Sequence, residues 1–507
     1  MNKKNLANGK FRKKLTEVCS MEIWVRYRIL ICQYFLNLFI LLVFWGGMLR
    51  KSFNCDTLSH MLVEDADVMT RLTGGRYLTA LGDFVLLKLG LRTTTNLSVT
   101  MLITIMILAM AMLEIQSIFR IWVPDKLWAK IGFYAGTNLV FLNVLFAEPL
   151  MFSEFSVYYA AAYFTAAVGV KNYTKRNYIR MLLMYMAAVS FYQNAAVFAS
   201  IILAFYICMD ENMVFSRRLF FREIIGITAS MGIGLINFYC ILILDKLNIV
   251  PFSKEAGMGN FSEKLSLIFS HIIKIYKNCS GVMTNHWFPL LFILGVWGLI
   301  GYTCIKERKY SQFLSLFIVW LGSNILLYVI PITQSTITFY PRLYFCFFGI
   351  QGLLLSSAYR ISGDSIHKLL SLGGVLYLTL QLLFVHFIIS DHFVSNDLDK
   401  IYANMVYEKI IEYEEETGNN VENIAVMRDI DAPFSYREVS FVSDQINERA
   451  LGTVPISLIY MVTGRKFNKI EVPENMVQKY FYNKNWDYID LDEQLFFEGD
   501  TAYWCVF

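Results

Sequence analysis

Asp56, Glu64, Asp65 and Asp67 fall within a twelve-residue window directly behind the first long apolar run, and Gly74-Gly75-Arg76 closes that acidic stretch. A carboxylate can take a proton from an attacking hydroxyl, and a guanidinium can grip a phosphate through two parallel hydrogen bonds. Held at a membrane surface, those groups suit chemistry on a phosphate-linked lipid at the water boundary. A solvated connector has the same composition, so charge alone leaves both readings open.

Further candidates lie downstream. Glu148 and Glu154 surround Pro149 in AEPLMFSEF. Carboxylates at a membrane boundary are expensive and often functional, although a Glu-Pro turn also explains them. Arg342, in FYPRLYF, is either an interface anchor between Tyr340 and Tyr344 or a second phosphate clamp. Ser190, Tyr192, Gln193 and Asn194 interrupt an otherwise apolar run. Before Arg76, two glycines let the backbone come close to a ligand and leave the guanidinium exposed. After it, Tyr77–Leu91 carries Leu78, Leu81, Val85 and Leu89 in one stripe with Asp83 and Lys88 off it, the pattern of a helix lying in the interface plane.

The elements that must position these groups are membrane helices. Of the 507 residues 56% are hydrophobic, and the mean hydropathy of +0.46 excludes a soluble globular protein. Repeated long apolar runs indicate an α-helical polytopic membrane protein, because lipid leaves backbone polar groups no partner outside their own segment. Ile29–Met48 reads as an uncleaved first span. Lys3, Lys4, Lys10, Arg12, Lys13 and Lys14 before it place the N-terminus in the cytoplasm. Further spans are expected at Asn96–Phe119, Ile131–Pro149, Phe152–Val170, Glu223–Leu244, Trp287–Ile305, Gln312–Ile330, Leu343–Tyr359 and Leu369–Ile389. The short loops assigned to the cytoplasm each carry at least two Lys or Arg.

Met181–Met209 is different. As one helix it would extend about 43 Å, against a hydrocarbon core of roughly 30 Å, and basic residues flank both ends. We read it as two short helices meeting at the polar apex, which brings the expected total to about eleven membrane helices. A single tilted span is the alternative and would invert every later loop. Residues 391–507 change character to an acidic, Asn- and Lys-rich tail, expected to form a small α/β extracytoplasmic domain after a membrane domain of residues 1–390. Within it Asp399–Glu416 reads as a helix, and Asn423–Arg428, Glu438–Val442 and Ala502–Phe507 as strands. The nine cysteines contain no CxxC pair, and there is no phosphate-loop, dinucleotide or nucleic-acid motif. No metal ligand set and no cofactor are expected, a bridging divalent cation being conceivable.

Taken in order, Asp56, Gly75-Arg76-Tyr77, Glu148-Pro149, Ser190-Phe191-Tyr192-Gln193 and Pro341-Arg342 resemble the type II Gtr glucosyltransferases, multi-pass enzymes of GT-C architecture that decorate bacterial surface polysaccharides. The resemblance covers most of the membrane part and, more loosely, the tail. It implies an inverting transfer of a sugar, glucose in that family, from undecaprenyl phosphate to a cell-surface polysaccharide on the outer face of the bacterial cytoplasmic membrane. Asp56 would be the base, and Arg76 and Arg342 would hold the donor phosphate. Asp65, Asp67, Glu148, Glu154, Tyr192 and Gln193 would be available to the substrates, with no nucleic-acid partner. The family commonly pairs aspartates in the first outer loop, whereas Cys55 and Thr57 flank Asp56 here; a required second carboxylate would then come from Asp65 or Asp67. A flippase or transporter for lipid-linked sugars is the competing class, disfavoured by the acidic first loop, the large tail and the lack of an internal repeat. A polysaccharide polymerase would carry its largest outer piece mid-chain. Reporter fusions after Lys306 and after Asp391 are expected to give opposite sidedness, with the tail outside; a cytoplasmic tail would make Met181–Met209 a single span.

Overall fold

The structure, a computed structural model, describes residues 21–62, 66–94, 96–249, 260–283, 287–333, 337–433, 435–436 and 446–507. The apolar runs form helices: α1 (Met21–Trp45), α5 (Leu97–Phe119), α6 (Leu127–Asn138), α7 (Ser156–Thr174), α8 (Tyr178–Phe191), α9 (Ala195–Asp210), α10 (Arg217–Lys246), α12 (Phe288–Lys306), α13 (Tyr310–Leu326), α14 (Cys346–Ile361) and α15 (Asp364–Thr417). Three short helices follow the first span: α2 (Cys55–Leu62), α3 (Ala66–Thr73) and α4 (Tyr77–Lys88). The remaining amphipathic helix is α11 (Phe261–Asn278). Among the described residues five helices, α1, α5, α10, α12 and α15, are long and apolar enough to cross a membrane. The chain is therefore a helical membrane protein with a small sheet.

The basic loops collect at one end of the bundle. Lys126 pairs with Asp364, and Arg360 donates to Asn212 Oδ1 at 2.6 Å. Lys309 donates to the Ile361 carbonyl at 3.2 Å, and Arg222 to Asp210 at 2.7 Å. The expected break in Met181–Met209 is present. α8 ends at Phe191, Tyr192 is extended (φ −157°, ψ 124°) and α9 begins at Ala195. The Tyr173 ring lies 5.9 Å from Tyr178 and 6.1 Å from Tyr206. The outer ends of α8 and α9 thus sit together at the basic end, and the apex points to the other.

Three expected boundaries change. Ile131–Pro149 is not one span: α6 stops at Asn138, and the Asn143 side chain accepts from the Leu145 and Phe146 amides, both at 3.1 Å, starting a separate turn that leads into the short helix Ala147–Met151. A side-chain acceptor at a helix start competes with continuation of the previous helix, which is why the chain divides here. The next helix begins at Ser156 rather than Phe152, leaving Glu154 in a connector. Finally, the expected span Leu369–Ile389 and helix Asp399–Glu416 are parts of α15, whose 54 residues run across position 390 without a break, about 80 Å at 1.5 Å per residue.

The second half of α15 carries the C-terminal unit. Strands β1 (Asn423–Arg428), β2 (Asn468–Ile470), β3 (Leu495–Glu498) and β4 (Thr501–Val506) form a sheet of order β2-β1-β4-β3. β1 is parallel to β2 and β4, and β3 antiparallel to β4. β1 and β4 coincide with two expected strands; Glu438–Val442 lies outside the described residues. Strand side chains alternate between faces. Ile424, Ala502 and Trp504 pack with Ala403, Val406 and Ile410 of α15, and Ala425, Tyr503 and Cys505 pack with Phe481 and Trp486. Phe53, Cys55 and Leu58 belong to the first of these cores, so the start of the acidic segment is buried in the C-terminal unit.

Inside the bundle, Gln116 of α5 ties three helices. Its Oε1 accepts from Gln33 at 2.7 Å and Asn37 at 3.0 Å, and its Nε2 donates to Asn138 at 2.9 Å. Gln116→Leu strands those buried amides, and detergent-solubilised protein is expected to lose about 1–3 kcal/mol in thermal unfolding. The volume-conserving Met112→Leu should change little; equal losses would remove the network's special role.

Candidate active site

The broken helix organises the site. Where α8 stops, three consecutive side chains each hold a different neighbour. Gln193 donates to the Gly74 carbonyl, and Asn194 donates to the Arg342 carbonyl at 3.0 Å. Tyr192 meets Tyr159 edge-on at 4.6 Å, and its ring lies 5.4 Å from the Arg76 guanidinium. One apex therefore positions both arginine-bearing turns.

Gly75 sits at φ +68°, and a Cβ there would come 2.3 Å from Ile241 Cδ1 and 2.9 Å from Asn237 Nδ2. Asn237 also donates to the Gly75 carbonyl at 3.1 Å. The glycine is required by the close approach of α10, which corrects the expectation that it serves the approach of a ligand. The Arg76 side chain is half-buried rather than exposed, lying over Phe155 at 5.7 Å. Its Nε is buried with no hydrogen-bond partner among the described residues.

Of the expected apolar stripe in α4, Leu81, Val85 and Leu89 are exposed and Leu78 is half-buried; Phe84 is exposed as well, while Thr79, Ala80 and Asp83 are buried. A helix with its polar face turned inward fits a lipid boundary outside and a polar interior. Thr79 donates to the Phe191 carbonyl at 3.0 Å, joining α4 to the end of α8. Asp83 accepts from the Tyr158 hydroxyl at 2.6 Å and lies 3.5 Å from Arg71 Nε. The Arg71 guanidinium sits 3.2 Å from the centre of the Phe155 ring.

Glu148 is fully buried. Its Oε2 accepts from the Arg342 backbone amide at 2.6 Å and its Oε1 from the Arg342 guanidinium. A carboxylate engaged on both oxygens by one residue fixes that residue's backbone and side chain together. Glu154 is buried too. Its Oε2 accepts from the Thr57 hydroxyl at 2.5 Å, while Oε1 has no partner. Burial pushes the Glu154 carboxyl up, opposed by the Thr57 hydroxyl and, more weakly, by His60 and Arg71. Asn54 completes the tie by accepting from the Thr57 amide at 2.7 Å and donating to the Met151 carbonyl at 3.1 Å. Asp56, half-buried in the first turn of α2, is the residue before Thr57.

The Tyr159 ring meets those of Tyr192 and Phe155, which face Arg76, and that of Phe152, which faces Arg342. The structure thus gathers Arg76, Arg342, Glu148, Glu154 and Tyr192 around one tyrosine, with Gln193 bracing the Gly74 turn. Asp65 and Glu64 lie outside the described residues, as does the Asp67 side chain. The sequence did not single out Arg71, Asn54, Tyr158 or Tyr159, and placed Asp83 and Thr57 only as neighbours of other features. Arg71 stands inside the acidic segment five residues before Arg76, a signal that was available; the tyrosines were indistinguishable from interface aromatics. Among the described residues no group of three or more His, Cys, Asp or Glu side chains is placed to hold a metal ion. Arg71 and Arg342 already face carboxylates, so Arg76 is the guanidinium of the three with charge to offer an anion.

Removing Glu148 takes away the buried carboxylate that engages both the Arg342 amide and its guanidinium, and Glu148→Ala is expected to cost roughly 3–5 kcal/mol. Combining it with Arg342→Met should cost less than Glu148→Ala alone, as thermal unfolding in detergent would show. In comparisons with protein-family models, curated proteins and solved structures, the chain matches none.

Proposed function

We propose that the protein is an integral-membrane glycosyltransferase of GT-C type, with about eleven membrane helices and the C-terminal unit outside the cytoplasm. It would move a sugar, glucose by family resemblance, from undecaprenyl phosphate to a cell-surface polysaccharide. The observation that carries this reading is a guanidinium, Arg76, whose Nε has no hydrogen-bond partner among the described residues, standing with the buried Glu148 and Glu154 at one end of an apolar bundle, beside a helix that turns its apolar face outward. A lipid phosphate needs both an apolar approach and a cation at its headgroup.

The chemistry follows from the groups available. The acceptor hydroxyl oxygen attacks the anomeric carbon, its proton passes to Asp56, and the bond from that carbon to the phosphate oxygen breaks with inversion. The departing lipid phosphate gains negative charge, which Arg76 stabilises without a general acid. In this reading Arg342, locked to Glu148, adds a second positive edge. Tyr192 and Phe155 hold the Arg76 side chain against their faces.

Purified protein incubated with polyprenyl-phosphate glucose and an acceptor glycan is expected to transfer the sugar. Asp56→Asn should lower the rate 10²–10⁴-fold, the range typical for loss of a general base, with unfolding temperature nearly unchanged. Arg76→Ala should chiefly raise the KM for the lipid donor. Movement of the lipid-linked sugar across vesicles without transfer would instead identify a flippase.

A further inference from the structure

The C-terminal unit has an edge that the chemistry above does not use. β1 and β4 run parallel in register, Arg428 opposite Val506, and the Asp429 amide continues the ladder to the Val506 carbonyl at 2.9 Å. In sheets with parallel strands, ligands bind just beyond the carboxyl ends. Here those ends carry a loop, residues 482–488, pinned at its middle. Asp429 Oδ2 accepts from the Trp486 amide at 3.2 Å, and Asp431 Oδ2 accepts from Asn485 Nδ2 at 2.7 Å. The Trp486 ring is buried and its indole N–H donates to Glu493 at 3.2 Å.

Two aromatic residues stand on either side of the pinned centre with their rings in solvent, Tyr482 at 58% and Tyr488 at 65% exposure, and Ile430 beside Asp431 is 98% exposed. A loop fixed by two carboxylates has lost its freedom before any ligand arrives, which lowers the cost of binding one. Tyrosine rings offer flat apolar faces with a polar tip, the complement of a sugar ring, whose C–H face is apolar and whose rim is hydroxyl. The Asn485 amide of the same loop and the Asp431 carboxylate it donates to suit those hydroxyls.

The same edge adjoins the start of the acidic segment. A Cβ on Gly452 would stand 3.6 Å from the Arg428 guanidinium carbon, and the preceding residue, Leu451, belongs to the same buried core as Cys55, the neighbour of Asp56. A glycan lying on the edge would therefore lead toward Asp56.

We propose that the carboxyl edge of β1 and β4, through Tyr482, Tyr488, Asn485 and Asp431, is a subsite for the acceptor polysaccharide chain. The word acceptor rests on the transferase reading; the glycan-binding surface does not.

The test uses the purified full chain and, as probe, delipidated surface polysaccharide from the host cell, measured by retention on an immobilised layer. Both tyrosines are exposed, so Tyr482→Ala with Tyr488→Ala should leave unfolding temperature unchanged. Retention should weaken about tenfold, the scale of losing two ring contacts. In transfer assays the acceptor KM should rise by a similar factor, with kcat at saturating acceptor and the donor KM unchanged. Tyr178→Ala, at the basic end, should alter neither. Retention lost in the double variant when no transfer is seen in any form would keep the glycan subsite and overturn the transferase reading. Equal retention by wild type and double variant, no retention by wild type, or an equal loss in Tyr178→Ala would overturn the subsite.

Discussion

A backbone that stops being helical inside an apolar bundle must find partners for the amides and carbonyls it frees, since hydrocarbon supplies none. That constraint governs the interruption at Tyr192–Asn194. The side chains chosen there do more than satisfy the break. Gln193 and Asn194 reach out to carbonyls of two distant turns, Gly74 and Arg342, so the repair of one discontinuity becomes the scaffold for two cations. Arg342 is then fixed from the opposite side by Glu148. A buried ion pair contributes little net stability, but here it determines where a guanidinium and its own backbone stand.

The cost of bringing charge into this region is met by pairing rather than by exposure. Arg71 faces Asp83, which also receives the Tyr158 hydroxyl. Arg342 faces Glu148. Arg76 is treated differently, wedged over Phe155 and Tyr192 with a bare Nε. Aromatic faces stabilise a cation while leaving its hydrogen-bond donors available, which is the condition for receiving an anion from outside.

Much of the architecture was legible because hydropathy and charge are local signals. The break in Met181–Met209 could be read from four polar residues between two basic flanks, and β1 and β4 from short apolar runs bounded by polar residues. What was illegible depended on partners far away in the chain. Gly75 looked like room for a ligand because Ile241 and Asn237, more than 160 residues later, are invisible in its neighbourhood. Asp83 looked like the solvated side of α4 because its partners Arg71 and Tyr158 come together only in the fold. The interruption after Asn138 was missed because the run stays apolar on both sides of it, and only the cap at Asn143 divides the helix. The continuity of α15 was missed because composition changes sharply near residue 390 while helical periodicity does not.

That continuity has a mechanical meaning. α15 joins the basic end of the bundle to the core of the sheet as a single rod, with no glycine or proline hinge in its second half. Membrane helices answer changes in bilayer thickness by tilting, and a rod without a joint carries its tilt along its whole length. The sheet edge would then be swung relative to the lipid surface whenever the surrounding bilayer thickens or thins. Lipid composition becomes a geometric input to the molecule, acting through leverage rather than through any binding pocket.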